Sequence, residues 1–201
     1  MRNKTIIIAE AGVNHNGNLL IAKKLIDAAS KAGADIVKFQ TFNASKIVTL
    51  KAQKANYQIE KKFKNETQFE MLKKLELSFN DYKVLKNHCK KRNIEFLSSP
   101  FDIESAKFLI SIQVKRIKIA SGEITNYPLL KFIAKKNKKT ILSTGMSSIK
   151  EIQESVSVLY KNGLSKKNLT LLHCTSSYPA DYNEVHLKAI SLMKKKFKIN
   201  I

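Results

Sequence analysis

Short apolar segments of strand length alternate with helical segments along the whole 201-residue chain. Six segments read as strands, at 5–12, 35–42, 94–101, 116–123, 139–146 and 169–179. The last five residues, "FKINI", resemble the start of a seventh strand. Continuously apolar strands separated by helices are typical of a parallel sheet that is covered on both faces. The chain is therefore predicted to be an α/β protein.

Helix signals fill the gaps between these strands. Asn18 is a candidate N-cap and Gly33 a C-terminal stop for the first helix, and Ser78 with Asp81 forms a plausible capping box for a later one. A polar stretch occupies 43–66. The remaining helices are predicted at 67–77, 102–112, 127–136, 148–161 and 184–195.

Two architectures fit this order: an open doubly wound sheet and a (β/α)8 TIM barrel. No strand is followed by a GxGxxG or GxxxxGK[ST] motif, so a dinucleotide or P-loop site is unsupported. Small polar residues recur instead where the strands end, and a barrel gathers those ends at one mouth. The barrel is the preferred prediction, truncated after about six strands and the start of a seventh, with residues 1–201 as a single partial domain.

Two lysines interrupt otherwise apolar strands. Lys38 lies in "DIVKFQTF" and Lys118 in "RIKIAS". A buried ammonium needs negative or polar partners. Together with the strand-end hydroxyls of Ser99, Ser121 and Ser143, these lysines would make a phosphate cradle. A snorkelling surface lysine, or a Schiff-base role for Lys118, is the alternative that spacing leaves open.

The strand-end carboxylates and histidines are ambiguous on position alone. Glu10 is a general base, a hydroxyl anchor or the partner of a nearby lysine. Glu123 allows the same interpretations, with a structural role favoured. His15 lies in a turn-rich loop, His173 ends a strand, and Cys174 is most simply a small buried residue.

Composition argues against several classes of protein, among which nucleic-acid binding remains a distant alternative. The formal net charge is +21, and almost all of the positive charge comes from lysine. Nucleic-acid-binding proteins more often use arginine with aromatic residues interleaved, so this composition does not favour that class. No apolar run is long enough to span a membrane. The two distant cysteines favour a reducing cytoplasm over a disulfide framework, and the four histidines have no metal-ligand spacing.

Six segments, in this order, resemble the sialic acid synthase family, which includes N-acetylneuraminate and legionaminic acid synthases: "IIIAEAGVNHNG", "GADIVKFQTF", "FLSSPFD", "KIASGEITNYPLL", "ILSTGMSS" and "LLHCTSSYPA". The resemblance covers essentially the entire chain. It implies a (β/α)8 barrel that condenses phosphoenolpyruvate with an open-chain N-acetylated hexose such as N-acetylmannosamine. The product would be a nine-carbon 2-keto acid, with phosphate released by C–O cleavage.

The resemblance also implies roles for individual residues. Glu10 would be the essential carboxylate at the amino-sugar end, and Tyr178 a sugar contact, with Ser176 at a position that can be Asn. Glu123 is retained as a candidate substrate contact. Contacts to phosphoenolpyruvate would fall on Lys38, Gln40, Ser99, Lys118, Ser121 and Ser143.

The family's two metal-binding histidines, on strands seven and eight, have no counterpart in this sequence, so no metal ligand is assigned. The resemblance implies a Mn or Mg ion for the full-length enzyme, a C-terminal antifreeze-like domain absent here, and a domain-swapped homodimer. The alternatives are a truncated inactive remnant and another phosphoenolpyruvate-condensing barrel synthase.

Overall fold

The computed structural model of the chain describes residues 5–54, 66–177 and 179–201. Strands and helices alternate in it as the apolar pattern predicts. The strands are β1 Ile8–Gly12, β2 Ile36–Thr41, β3 Glu95–Pro100, β4 Arg116–Ile119, β5 Lys139–Ser143 and β6 Leu169–Leu172. The helices are α1 Leu19–Lys31, α2 Ala44–Ile47, α3 Gln68–Leu75, α4 Phe79–Lys91, α5 Ile103–Ser111, α6 Tyr127–Ala134, α7 Ile149–Lys161 and α8 Lys188–Phe197.

The six strands form two parallel sheets of three strands each, in the order β1-β2-β3 and β4-β5-β6. They belong to two compact units, residues 1–108 and residues 109–201. The α/β prediction and the parallel pairing are confirmed. The part of the chain that the structure describes shows these two three-stranded sheets.

In the first unit the helices are fixed by their capping residues. The Asn18 side chain accepts hydrogen bonds from the Leu20 and Ile21 amides and begins α1, while Gly33, at φ +79°, turns the chain out of it. Ser78 and Asp81 form the predicted capping box of α4. These helices cover a core of fully buried side chains that includes Ile26, Ile36, Val37, Phe39, Leu85 and Leu97.

The second unit is built in the same way. Asn126 caps α6, with Pro128 in its first turn, and Ser148 with Glu151 forms a capping box at α7. The apolar faces of these helices are buried, and α6 packs against α7. The core contains Ile117, Ile119, Leu129, Leu130, Ile133 and Leu142.

Five predicted boundaries are wrong by three residues or more. β1 begins at Ile8 and not at residue 5, and β5 ends at Ser143 and not at residue 146. The strand predicted at 116–123 ends at Ile119, because Ser121–Glu123 form a 3-10 turn in which the Glu123 amide donates to the Ala120 carbonyl. The strand predicted at 169–179 ends at Leu172. The helix predicted at 184–195 begins at Lys188, since Tyr182–Glu184 form a separate 3-10 turn. Of the polar stretch 43–66, residues 55–65 lie outside the described residues.

The end of the chain adds to the second sheet. Asn200 forms a parallel bridge with Thr170, and the Leu171 amide donates to the Asn200 carbonyl at 3.0 Å. This bridge lies where the sequence predicts the start of a further strand. No helix among the described residues is long and apolar enough to cross a membrane.

Candidate functional site

Strand register places four polar side chains on one face of the first sheet. Glu10 is paired with Lys38, and Gln40 with Ser99, so the four residues share a face. We call these four residues, Glu10, Lys38, Gln40 and Ser99, the Lys38 cluster. The Lys38 ammonium lies 2.5 Å from a Glu10 carboxylate oxygen, and Glu10 is the more exposed of the two. Lys38 is thus neutralised within its own sheet.

Gly12 leaves room for two members of the Lys38 cluster. It has φ +52° at an irregularity in the β1–β2 pairing. A Cβ at Gly12 would lie 3.1 Å from Glu10 Oε1 and 3.9 Å from Gln40 Nε2. The backbone of Gln40 is fixed from behind, because the buried Tyr82 hydroxyl donates to its carbonyl at 2.5 Å. Burial raises the pKa of Tyr82, so it remains a neutral donor.

Two neighbouring hydroxyl side chains, Thr41 and Ser98, lie on the opposite face of the same sheet. Thr41 and Ser98 are fully buried there and bond to each other through their hydroxyl oxygens at 2.7 Å. The strand-end pairs Gln40-Thr41 and Ser98-Ser99 therefore divide between the two faces. Of these four residues, Gln40 and Ser99 lie on the face of Lys38.

Lys118 in the second sheet is 6% exposed, although it lies between two buried isoleucines. Its side chain is on the face opposite theirs, where the ammonium donates to the Ile119 carbonyl at 3.0 Å and is in close contact with Ser143 Oγ. The thiol of Cys174 lies 3.3 Å from the same Ser143 oxygen. A lysine, a hydroxyl and a thiol are thus joined in one chain of polar contacts.

Ser121 and Ser176 extend this group. The Gly145 amide donates to Ser121 Oγ at 3.1 Å, and the hydroxyls of Ser121 and Ser176 both lie beside Gly145. Ser176 is exposed and Ser143 is buried, so the group runs from the interior of the unit to its surface. We call Lys118, Ser121, Ser143, Cys174 and Ser176 the Lys118 cluster.

Two further predicted site residues do not enter either cluster. Glu123 accepts a hydrogen bond from the Asn126 side-chain amide at 2.7 Å, next to the start of α6. This contact joins the Glu123 carboxylate to the capping residue of α6. Tyr178 lies outside the described residues.

Two histidines that follow strands each have a buried Nε2. His15 is fully buried; its Nδ1 accepts from the Gly17 amide at 3.1 Å, and its Nε2 has no partner in the part of the chain that the structure describes. Burial lowers the pKa of His15, so the ring is neutral near pH 7. His173 Nε2 is likewise buried without a partner among the described residues.

The chemistry open to the Lys118 cluster is anion binding. A lysine surrounded by hydroxyl donors is suited to a phosphate, which accepts several charge-assisted hydrogen bonds. Among residues 5–54, 66–177 and 179–201, no group of three or more His, Cys, Asp or Glu side chains is arranged to hold a metal ion. The described residues therefore do not fit a metal centre.

The contacts of Cys174 with Ser143 and of Gly145 with Ser121 are not predicted from the sequence. The apolar context of "LLHC" suggests only a small buried residue, and Gly145 lies inconspicuously in a hydroxyl-rich strand end. The signal that could have found Cys174 is alternation: Leu172 pairs with Ser143, so Cys174, two residues on, lies on the face of Ser143.

Comparison with known proteins identifies the family. Residues 25–201 match the model of the NeuB family. The chain is 55% identical over 198 residues to N,N'-diacetyllegionaminic acid synthase from Campylobacter jejuni, covering 98% of this chain and 59% of that protein. It is 49% identical to the synthase of the same name from Legionella pneumophila, covering 97% of this chain and 55% of that one. The chain thus spans a little over half the length of these relatives.

Solved structures agree with this assignment. The N-acetylneuraminic acid (sialic acid) synthetase from Leptospira borgpetersenii superposes with a TM-score of 0.83 at 36% identity, over 98% of this chain and 63% of that one. A truncated 3-deoxy-D-arabino-heptulosonate 7-phosphate synthase from Thermotoga maritima, at 13% identity and a TM-score of 0.63, shares the fold alone. The chain belongs to the NeuB family of sialic acid and legionaminic acid synthases.

Proposed function

We propose that this protein carries the phosphoenolpyruvate site of a sialic acid synthase-type enzyme. In the proposed reaction, C3 of phosphoenolpyruvate attacks the aldehyde carbon of an open-chain N-acetylated amino sugar and forms a C–C bond. Water adds at C2, and the C2–O bond to phosphate breaks. One phosphoenolpyruvate, one aldehyde and one water thus give a 2-keto sugar acid and one phosphate.

The observation that carries the proposal is the buried Lys118 ammonium. Burial of a charged group is costly unless polar partners surround it, and Lys118 has the Ile119 carbonyl and the Ser143 hydroxyl within reach. An anion is a stronger partner than either of these neutral oxygens. We assign the phosphate of phosphoenolpyruvate to Lys118, Ser121, Ser143 and Ser176.

The Lys38 cluster is assigned to the rest of the substrates. Lys38, Gln40 and Ser99 are proposed to contact phosphoenolpyruvate, and Glu10 the amino sugar. The ion pair between Glu10 and Lys38 holds both side chains on one sheet face, and Glu10 is exposed enough to meet a ligand. Glu123 and Tyr178 remain proposed substrate contacts on the resemblance alone.

The names of the relatives favour one class of amino sugar. Two relatives at 55% and 49% identity are N,N'-diacetyllegionaminic acid synthases, whereas the N-acetylneuraminate-9-phosphate synthase of Drosophila melanogaster is 38% identical. A doubly N-acetylated amino sugar is therefore the proposed acceptor, with N-acetylmannosamine as the second candidate.

The remaining assignments follow from the family resemblance. We propose that residues 1–201 form part of a (β/α)8 barrel whose last strands and antifreeze-like domain belong to the full-length enzyme, which is a homodimer. A Mn or Mg ion would supply activation of the sugar aldehyde there. Because the described residues do not fit a metal site, none of the roles assigned above depends on one. The two free thiols, Cys89 and Cys174, support a cytoplasmic location.

The test is a turnover assay of the protein with phosphoenolpyruvate and a di-N-acetylated amino sugar, in which phosphate and 2-keto acid are both measured. We expect Lys118→Met, which keeps the apolar stem and removes the charge, to abolish phosphoenolpyruvate use. Lys131→Ala, an exposed lysine of α6, is the matched control and should behave as wild type.

Three outcomes separate the alternatives. Phosphate release that requires both substrates supports the synthase. Binding of phosphoenolpyruvate without turnover supports the inactive remnant, and turnover only with another sugar aldehyde supports a different synthase of the same class. Near wild-type kinetics of Lys118→Met would contradict the assignment of the phosphate site to Lys118.

A further inference from the structure

We propose that Gly145 is a positioning residue of the phosphate site, required because only hydrogen fits between the Ser121 and Ser176 hydroxyls. The proposal rests on the proposed function of the Lys118 cluster. Gly145 lies two residues after Ser143, the last residue of β5, and its amide donates to Ser121 Oγ at 3.1 Å. This bond ties the loop after β5 to the 3-10 turn after β4.

The space around Gly145 is set by side-chain oxygens. A Cβ at this position would lie 2.6 Å from Ser176 Oγ, 3.1 Å from Ser121 Oγ and 3.4 Å from Cys174 Cβ. The first distance is shorter than real carbon–oxygen contacts allow, and the second is tighter than most. A methyl group at 145 would therefore turn the Ser176 hydroxyl away and push on that of Ser121.

The requirement for glycine here is one of space and not of backbone conformation. Gly12, Gly17, Gly33 and Gly163 have positive φ, whereas Gly145 does not. An alanine can therefore adopt the backbone of residue 145. The atoms it would displace are the tips of two short side chains, so the change falls on hydroxyl direction more than on the fold.

Displaced hydroxyls matter because they belong to the proposed anion site. Ser121 and Ser176 converge on Gly145, while Ser143 contacts Lys118. If one of these hydroxyls no longer points at the phosphate, one hydrogen bond to the charged phosphate is lost. The expected effect is a roughly tenfold loss of affinity.

The experiment measures phosphoenolpyruvate affinity by titration calorimetry for wild type and Gly145→Ala, at a temperature where circular dichroism shows each protein folded. Gly145→Ala should bind roughly tenfold more weakly. Gly122→Ala is the matched control: it lies in the adjacent turn, a Cβ there meets nothing within 4 Å, and its φ is not positive. It should bind as wild type does.

A double-mutant cycle with Ser176→Ala isolates the cause. Ser176→Ala removes the oxygen that the new methyl group would meet, so Gly145→Ala should cost less affinity in that background than in wild type. The comparison between the double variant and Ser176→Ala also carries the test if the single variant does not fold.

The outcomes separate the role of Gly145 from the proposed binding of phosphoenolpyruvate by the Lys118 cluster. Unchanged affinity of Gly145→Ala, or the same loss in both backgrounds, overturns the role of Gly145 and leaves the phosphate site standing. A wild-type protein without affinity for phosphoenolpyruvate contradicts both.

Discussion

Lys118 illustrates, at the scale of one residue, how a cation is accommodated in an apolar strand. Its neighbours Ile117 and Ile119 point into the core, and alternation places the lysine on the other face, beside carbonyl and hydroxyl oxygens. These oxygens replace part of the water that the ammonium loses on burial. The charge is thereby held on the face that carries Ser143 and Cys174, where the proposed phosphate would bind.

Gly17 and Gly33 give a prediction about stability at the same scale. Both have positive φ, +70° and +79°. A Cβ at Gly17 would lie 2.3 Å from the Lys74 carbonyl oxygen, whereas a Cβ at Gly33 would meet nothing within 4 Å. We expect Gly33→Ala to cost about 1 kcal/mol through backbone strain alone, and Gly17→Ala roughly 3 kcal/mol because the loop must also shift from α3.

Urea denaturation of the two variants measures both costs. Equal losses in the free energy of unfolding would contradict this expectation. They would mean that the loop after β1 moves away from Lys74 at no cost.

At the scale of the element, a capping box fixes the start of α7, the helix that follows β5 and its last residue, Ser143. Ser148 Oγ accepts from the Glu151 amide, and the Glu151 carboxylate accepts from the Ser148 amide at 2.7 Å. Ser148→Ala should lower the free energy of unfolding by about 1 kcal/mol. Ser165, which precedes a 3-10 turn and makes no side-chain cap, is the control, and Ser165→Ala should be neutral.

Thermal or urea denaturation of the two serine variants checks this expectation. A neutral Ser148→Ala would show that α7 is held by its apolar face without help from the cap.

The same capping box gives a pH dependence. Hydrogen bonds from the Ser148 amide and then the Ser148 hydroxyl hold the pKa of Glu151 below its ordinary value. Because the pKa is lower in the folded state, the stabilisation is present above the ordinary carboxyl pKa and is lost as the pH falls through the folded value. Glu151→Gln should therefore remove part of the acid sensitivity between about pH 6 and pH 2.

Unfolding titrations of wild type and Glu151→Gln across that range provide the measurement. The difference between the two curves isolates Glu151 from the other carboxylates with lowered pKa, Asp27 and Glu66. Parallel curves would contradict the assignment.

At the scale of the molecule, apolar periodicity predicts six strands, their order and their parallel pairing. It does so because the strands are largely apolar and several helices begin at a capping side chain, as at Asn18 and Ser78. The place of Lys118 within an apolar strand likewise marks a candidate site from the residues alone.

Features that depend on three-dimensional packing cannot be predicted from the sequence. Thr41 and Ser98 look like strand-end donors, but they bond to each other on the far face of the sheet. The Glu10–Lys38 pair is one of several interpretations that position leaves open, and only strand register brings those residues together. The role of Gly145 depends on the distance between side chains from three different loops, which no local pattern encodes.

The central claim is that the Lys118 cluster binds the phosphate of phosphoenolpyruvate. A crystal structure of the protein with phosphoenolpyruvate tests it most directly. We expect a phosphate oxygen about 2.8 Å from the Lys118 ammonium nitrogen, with the Ser121 and Ser143 hydroxyls as further donors. Phosphoenolpyruvate bound elsewhere, with no phosphate oxygen near the Lys118 ammonium, would contradict it.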